Sequence, residues 1–125
     1  MAIYCGVDIV EIERLKKSID ELENFRNRVF TKGEIDYCEK RNRAKYESYA
    51  ARFAAKEAVL KAFGTGLAGD LDWKQVEILN NEKGKPYVVL SGNAREIFGM
   101  IGGKSIDISL SHCREFAVAY AVIEA

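Results

Sequence analysis

Residues 52–66 read RFAAKEAVLKAFGTG and lie in the segment that decides the fold. No Gly or Pro occurs from Lys45 to Phe63, and Ala, Leu, Lys and Glu favour helices. We therefore expect one long helix that ends at Gly64. At about 100° per residue, apolar side chains fall on two sides of this helix. A helix that is apolar on two sides packs against two partners, so it should be central to the fold.

One residue of this helix does not fit its apolar pattern. Glu57 falls in the middle of a stripe of aromatic and aliphatic residues, where a buried carboxylate is costly unless it is compensated. Two explanations remain open, an i,i+4 pair with Lys61 or a bound metal ion. The Gly-rich loop after the helix is typical of a helix C-terminus, whereas phosphate-binding loops more often precede helices.

Composition limits the classes of function. The chain has 125 residues and balanced charge, with 19 Lys+Arg and 19 Asp+Glu, and we expect one domain over residues 1–125. Balanced charge and the lack of interleaved basic and aromatic residues disfavour nucleic-acid binding. No apolar stretch approaches the roughly 18 residues of a membrane span. Three cysteines without a CxxC pair, and an N-terminus without a basic region, predict reduced thiols and a cytoplasmic location.

The remaining patterns predict strands and helices around the central helix. Alternation predicts strands over residues 3–12, 73–79 and 106–110, and the first of these runs into a helical turn. A turn at 80–84 predicts a returning strand over 87–90, and an almost continuously apolar run predicts a strand over 116–123. Helices are expected over 14–30, from a Thr31–Glu34 capping box to about residue 41, and over 94–100. The last strand, FAVAYAVI, is apolar on both faces, so we expect it to lie at or near a subunit interface.

Two polar residues stand at the ends of predicted strands. Asp8 shares a strand face with Tyr4, Gly6 and Val10, and Gly6 permits close approach of another backbone. By position, Asp8 either caps the helix that follows or has a functional role. His112, the only histidine, precedes a turn, where a lone histidine is more often a surface residue.

Three motifs together resemble one family. GVDIVEIER (6–14), RFAAKEAVLKAFGTG (52–66) and ISLSH (108–112) occur in the order typical of the holo-acyl-carrier-protein synthases, the small 4′-phosphopantetheinyl transferases. The resemblance implies an α+β fold, with an antiparallel sheet packed on a long central helix, in a homotrimer whose active sites are shared between subunits. It also implies Mg²⁺-dependent transfer of 4′-phosphopantetheine from coenzyme A to a serine of apo-acyl carrier protein in fatty acid biosynthesis. Adenosine 3′,5′-bisphosphate is the expected second product.

The resemblance also implies roles for individual residues. Asp8 and Glu57 match the metal-binding carboxylates, and with Lys61 they form the expected catalytic group. The expected coenzyme A contacts are Arg52, Lys61, Gly64, Thr65, Gly66, Lys85, Pro86 and His112. The expected carrier-docking residues are Arg14, Lys17, Arg26 and Arg28, in a region that Glu21 and Glu23 make less basic.

The proton acceptor and the class of function each have two interpretations. Glu57 could accept the serine proton directly or through a metal-bound water, and the motif does not distinguish the two. The alternative function is a trimeric α+β module that binds a nucleotide or an acidic partner without chemistry. A divalent-metal requirement for product formation would separate that module from the enzyme.

Overall fold

The computed structural model describes residues 1–64 and 71–125. The helices in these ranges are α1 (Ile12–Glu21), α2 (Phe25–Val29), α3 (Lys32–Glu39), α4 (Lys45–Phe63) and α5 (Gly92–Met100), with 3₁₀ turns at Asn42–Ala44 and Trp73–Gln75. The strands are β1 (Ile3–Glu11), β2 (Val76–Asn80), β3 (Pro86–Leu90), β4 (Ser105–His112) and β5 (Phe116–Glu124).

The strands form two antiparallel sheets in the described part of the chain. One has the order β1-β5-β4, and the other pairs β2 with β3. Helix α4 packs against β1 and β5, and its buried alanines join Ala119 and Ala121 of β5 in the core. The predicted α+β fold with an antiparallel sheet on a long central helix is confirmed, and Gly64 ends that helix with a left-handed φ of 82°.

Gly6 allows β1 to lie directly against α4. A Cβ at this position would lie 1.9 Å from Ala58 O and 2.8 Å from Ala62 N, which no side chain tolerates. The backbone approach expected at Gly6 is therefore present, and it faces the small residues of α4. Any side chain at this position would push β1, and with it Asp8, away from the helix.

A buried ion pair joins α4 to α3. Lys56 Nζ lies 2.8 Å from Glu34 Oε1, and both side chains are fully buried. Lys56 also donates to the carbonyls of Trp73 (3.0 Å) and Val76 (2.8 Å), so its three donors meet three acceptors. Burial lowers the pKa of Lys56, and Glu34 opposes that change.

Glu34 also holds two backbone segments. Its Oε1 accepts from Thr31 N, and Thr31 Oγ1 accepts from Glu34 N, which confirms the predicted capping box of α3. Its Oε2 accepts from Ile78 N of β2 at 2.8 Å. One carboxylate therefore ties α3, α4 and β2 together.

Local structure differs from the sequence prediction at two places. The helix expected over residues 14–30 is two helices, because Asn24 takes a left-handed φ of 65° between α1 and α2. The strand expected from Trp73 begins only at Val76. The Asp72 side chain accepts from Lys74 N, and this cap stabilises a 3₁₀ turn before the strand.

The sheet face that points away from α4 is apolar along β1 and β5, whereas β4 presents Ser105, Asp107, Ser109 and Ser111 there. Ile3, Val7 and Ile9 of β1 are 54%, 51% and 64% exposed, and Phe116 and Tyr120 of β5 are 39% and 44% exposed. Alternate residues of β5 face the core, so this strand is apolar on both faces, as expected. A continuous exposed apolar surface of this kind typically marks a contact with another molecule.

Within residues 1–64 and 71–125, no helix combines the length and the apolar character needed to cross a bilayer.

The buried ion pair predicts a large loss of stability when its cation is removed. Lys56→Met leaves Glu34 buried without a counter-charge, so the free energy of unfolding should fall by about 3–5 kcal/mol. Urea unfolding at fixed protein concentration measures this loss.

Lys32→Met is the matched control, because Lys32 pairs with Asp36 at a similar distance, 2.9 Å, but its side chain is 89% exposed. This variant should unfold at nearly the same urea concentration as the unmodified chain. Equal losses in the two variants would show that burial of the Lys56–Glu34 pair is unimportant.

Candidate active site

Asp8 and Glu57, the two carboxylates selected from the sequence, line one cleft. We call it the carboxylate cleft; its volume is about 550 Å³, and its lining includes Asp8, Ile9, Arg14, Phe25, Phe53, Glu57 and Phe116. Strand β1 supplies Asp8, and α4 supplies Glu57. Aromatic side chains surround the two acids, so a cation bound there would be partly shielded from water.

Asp8 is held by a lysine from the last turn of α4. Lys61 Nζ donates to Asp8 Oδ1 at 2.9 Å and to the Val7 carbonyl at 3.0 Å. The local alternative that paired Lys61 with Glu57 is therefore wrong, because close packing of β1 on α4 brings Asp8 within reach. Asp8 does not cap α1 either, since the N-cap position belongs to Glu11, which makes no side-chain cap.

Glu57 is half-buried rather than fully buried, because its stripe of α4 borders the carboxylate cleft. The indole Nε1 of Trp73 donates to Glu57 Oε1 at 2.9 Å. Sequence periodicity did not identify this partner, and the only signal was a single tryptophan at the start of the strand predicted over 73–79. The two carboxylates thus have different partners, a charged lysine for Asp8 and a neutral indole for Glu57.

Two carboxylates in one cleft are a suitable protein contribution to a magnesium site. Each acid has a second oxygen beyond the one that Lys61 or Trp73 contacts. Within residues 1–64 and 71–125, no group of three or more His, Cys, Asp or Glu side chains is arranged to hold a metal ion. Mg²⁺ is commonly held by one or two carboxylates, with water and substrate phosphates as its other ligands.

Four of the residues expected to bind coenzyme A line a second cleft. We call it the basic cleft; its volume is about 460 Å³, and its lining includes Tyr37, Arg41, Arg52, Asn80, Lys85, Pro86 and His112. Tyr37, Arg41 and Asn80 were not identified from the sequence, because α3, α4 and β2 bring them together only in the fold. The concentration of cationic side chains suits a phosphate-bearing ligand.

Arg52 is held rigidly at the base of the basic cleft. It is 3% exposed, donates to Ser48 Oγ at 3.1 Å and to the Asn80 side chain, and lies 4.0 Å above the Tyr37 ring. Its Nε is buried and has no hydrogen-bond partner in the described structure. A guanidinium fixed by planar contacts is well suited to recognise phosphate oxygens.

Lys85 and His112 lie at the exposed part of the basic cleft. Lys85 Nζ donates to Asp107 Oδ1 at 2.9 Å, and this hydrogen bond lowers the pKa of Asp107. Asp107 was missed because it lies on β4, far from Lys85 in sequence. His112 is the last residue of β4 and is exposed, in agreement with its expected position beside a turn.

No described residue lines both clefts. The structure therefore brings Asp8 and Glu57 together, and Arg52, Lys85, Pro86 and His112 together, but in separate places on one chain. Lys61 accompanies the first group through Asp8. Gly64 lies at the C-terminus of α4 and lines neither cleft. Thr65 and Gly66 lie outside the described residues.

The expected carrier-docking residues lie on two helices, α1 and α2. Arg14 lines the carboxylate cleft, and Lys17 is exposed on the same helix, α1. Arg26 is half-buried and pairs with Glu39 at 3.3 Å. Arg28 lines a different cleft, beside Trp73. Only Arg14 therefore has a direct position at the carboxylate cleft.

The sequence is similar to a known family over nearly its whole length. Residues 4–121 match the family model of the 4′-phosphopantetheinyl transferase superfamily. The holo-[acyl-carrier-protein] synthase of Ruminiclostridium cellulolyticum is 53% identical over 124 residues, which cover 98% of this chain and 92% of that protein. The corresponding protein of Cytophaga hutchinsonii is 49% identical over 119 residues, which cover 94% of this chain and 93% of that protein.

Solved structures of similar proteins share the fold. The Helicobacter pylori holo-[acyl-carrier-protein] synthase in complex with coenzyme A has a TM-score of 0.84 and 31% identity, with 96% of this chain and 99% of that chain covered. The Bacillus anthracis holo-(acyl-carrier-protein) synthase in complex with CoA (3′,5′-ADP) has a TM-score of 0.82 and 33% identity, with 99% of each chain covered.

Proposed function

The chain belongs to the 4′-phosphopantetheinyl transferase superfamily, and we propose that it transfers 4′-phosphopantetheine from coenzyme A to a serine of apo-acyl carrier protein. The observation that carries this proposal is the placement of Asp8 and Glu57 in one cleft, in a chain similar to holo-acyl-carrier-protein synthases over its length. The cytoplasm and fatty acid biosynthesis are the proposed setting, since the relatives are named for acyl carrier protein.

The reaction breaks the phosphoanhydride bond of coenzyme A and forms a phosphate ester bond to serine. The serine Oγ attacks the phosphorus atom that carries the pantetheine arm, and the bond from that phosphorus to the bridging oxygen of the diphosphate breaks. The bridging oxygen leaves with adenosine 3′,5′-bisphosphate, and the serine proton passes to a base. Glu57 is the proposed acceptor, directly or through water, because it is a carboxylate fixed at the cleft wall by Trp73.

The basic cleft would bind the nucleotide, and the carboxylate cleft would bind the metal ion. Arg52, Lys85 and His112 would hold the nucleotide and its 3′-phosphate, since phosphate recognition needs several fixed cations. Lys61, already bonded to Asp8, would lie near the diphosphate. Asp8 and Glu57 would hold Mg²⁺, which supplies charge neutralisation at the phosphates under attack.

We propose that the two clefts become one active site in a homotrimer. Ile9 and Phe116 belong both to the exposed apolar sheet face and to the carboxylate cleft. At the other edge of the sheet, Ser109 and Ser111 of β4 line the basic cleft. A subunit packed on the apolar face would thus border both clefts, and a head-to-tail ring would place the basic cleft of one subunit against the carboxylate cleft of the next.

Carrier-protein docking is proposed to centre on α1. Arg14 lines the carboxylate cleft, so an acidic partner bound there would have its serine near Asp8 and Glu57. Lys17 lies on the same helix and would extend the contact. Arg26 pairs with Glu39, and Arg28 lies beside Trp73 in another cleft. These two arginines would attract an acidic carrier protein by longer-range electrostatics rather than by direct contact.

Mass spectrometry of apo-acyl carrier protein incubated with this protein, coenzyme A and Mg²⁺ tests the function. The carrier should gain the mass of phosphopantetheine, and a chelator should prevent the gain. Glu57→Gln keeps the side-chain shape but loses the charge and the proton acceptor, so the rate should fall by about 100-fold or more. Glu96→Gln, an exposed position on α5, is the control and should retain the rate.

Two results would contradict this proposal. No gain of mass with the unmodified protein would favour the binding module without chemistry. Normal turnover of Glu57→Gln at ordinary Mg²⁺ concentration would show that Glu57 is neither the metal ligand nor the base.

Charge reversal at Arg14 tests the docking surface. Arg14→Glu should raise the KM for the carrier protein several-fold and leave the KM for coenzyme A nearly unchanged, because the proposed phosphate contacts lie elsewhere. Raised salt should reduce the difference in carrier KM between the unmodified protein and Arg14→Glu, since the Debye length falls to about 3 Å at 1 M. Arg95→Glu, exposed on α5, is the control for a general charge effect. A defect confined to coenzyme A would place docking on another surface.

A further inference from the structure

We propose that Trp73 is a positioning residue that fixes the metal-binding orientation of Glu57. The assignment rests on the proposed function and adds a residue that none of the motifs in the sequence contains. The indole N–H is directed at Glu57 Oε1 from 2.9 Å, at the wall of the carboxylate cleft. This hydrogen bond restricts rotation of the carboxylate and leaves its second oxygen to face a cation.

The ring of Trp73 is fixed by aromatic neighbours. Its centroid lies 6.0 Å from that of Phe53, with the two planes tilted by 37°. Phe53 in turn lies 6.3 Å from Phe25, and both phenylalanines line the carboxylate cleft. Tilted aromatic pairs at these separations are favourable, so the indole has a defined orientation.

The backbone of Trp73 is fixed by the buried ion pair. Lys56 Nζ donates to the Trp73 carbonyl at 3.0 Å while it pairs with Glu34. Trp73 also begins the 3₁₀ turn capped by Asp72. A continuous set of contacts therefore runs from Glu34 through Lys56 and Trp73 to Glu57, from the core to the cleft.

A neutral donor suits this position better than a cation. Lys61 offsets part of the negative charge of Asp8, whereas the indole orients Glu57 without adding positive charge. Glu57 therefore keeps its full attraction for Mg²⁺. Partners that orient a metal ligand in this way typically change metal affinity or activity by about 10- to 100-fold when they are removed.

Trp73→Phe removes the N–H and keeps an aromatic ring against Phe53. We expect the Mg²⁺ concentration that gives half-maximal transfer to rise about tenfold. Tyr46→Phe is the matched control, because it also removes an aromatic donor on a carboxylate, Tyr46 Oη to Asp20 Oδ1 at 2.7 Å, away from the carboxylate cleft. This control should keep the normal Mg²⁺ requirement, while an unchanged requirement in Trp73→Phe would overturn the assignment.

A second measurement does not depend on turnover or on folding of the Trp73 variant. Trp73 is the only tryptophan in the chain, so its fluorescence reports on this site alone. Mg²⁺ titrated into the unmodified protein with coenzyme A, and without carrier protein, should change the emission, and Glu57→Gln should abolish the change. An emission unaffected by Mg²⁺, in a protein whose transfer requires Mg²⁺, would overturn the assignment.

Failure of the proposed function is distinguishable from failure of this inference. If the unmodified protein transfers no phosphopantetheine, the proposed function is wrong, and the role of Trp73 is withdrawn with it. If transfer is normal and Mg²⁺-dependent but Trp73→Phe behaves like Tyr46→Phe, only the positioning role is wrong.

Discussion

The buried pair of Lys56 and Glu34 is the constraint on which the rest of the structure depends. Removing two charges from water costs several kcal/mol per ion, and the cost is offset only when every donor and acceptor is satisfied. Lys56 meets three acceptors, while Glu34 accepts from Thr31 N and Ile78 N as well as from the lysine. This requirement fixes α3, α4 and β2 relative to one another, and through the Trp73 carbonyl it reaches the carboxylate cleft.

Different sides of helix α4 line the two clefts. Arg52 and Glu57 are five positions apart, so at about 100° per residue their side chains point in directions that differ by about 140°. Arg52 lines the basic cleft and Glu57 the carboxylate cleft, in agreement with this geometry. A single copy of α4 therefore directs the two residues to different sides of the helix. In the proposed homotrimer, copies of α4 in neighbouring subunits would supply Arg52 and Glu57 to one site, and this geometry favours a shared site.

The sequence predicted what depends on periodicity and local chemistry. The bounds of α4, its end at Gly64, the Thr31–Glu34 capping box and the close approach at Gly6 all follow from rules that involve a few adjacent residues. Of the candidate site, the placement of Asp8 and Glu57 in one cleft agrees with the family resemblance, although their roles stay predictions. Periodicity also indicated that α4 is buried on two sides. It predicted that Glu57 would be the buried charge of this helix, whereas Lys56 is fully buried and Glu57 only half-buried.

The partners could not be predicted, because each lies far away in sequence. Lys61 binds Asp8, Trp73 binds Glu57 and Lys85 binds Asp107, and in each case a different element supplies the second residue. A helical wheel identifies the side of a helix on which a residue lies, but not the strand that packs there. The break at Asn24 was missed for a related reason, since a left-handed residue between two helices leaves no gap in the pattern of charges.

Complementation between two inactive chains tests the proposed shared site most directly. One chain would carry Glu57→Gln, and the other Lys85→Ala with His112→Ala, so each retains the cleft that the other lacks. In a trimer mixed at random from equal amounts, one site in four combines two intact clefts, and activity should reach about a quarter of normal. If the mixture shows only the summed residual activities of the separate chains, both clefts act within one subunit or do not form one site, and the account is contradicted.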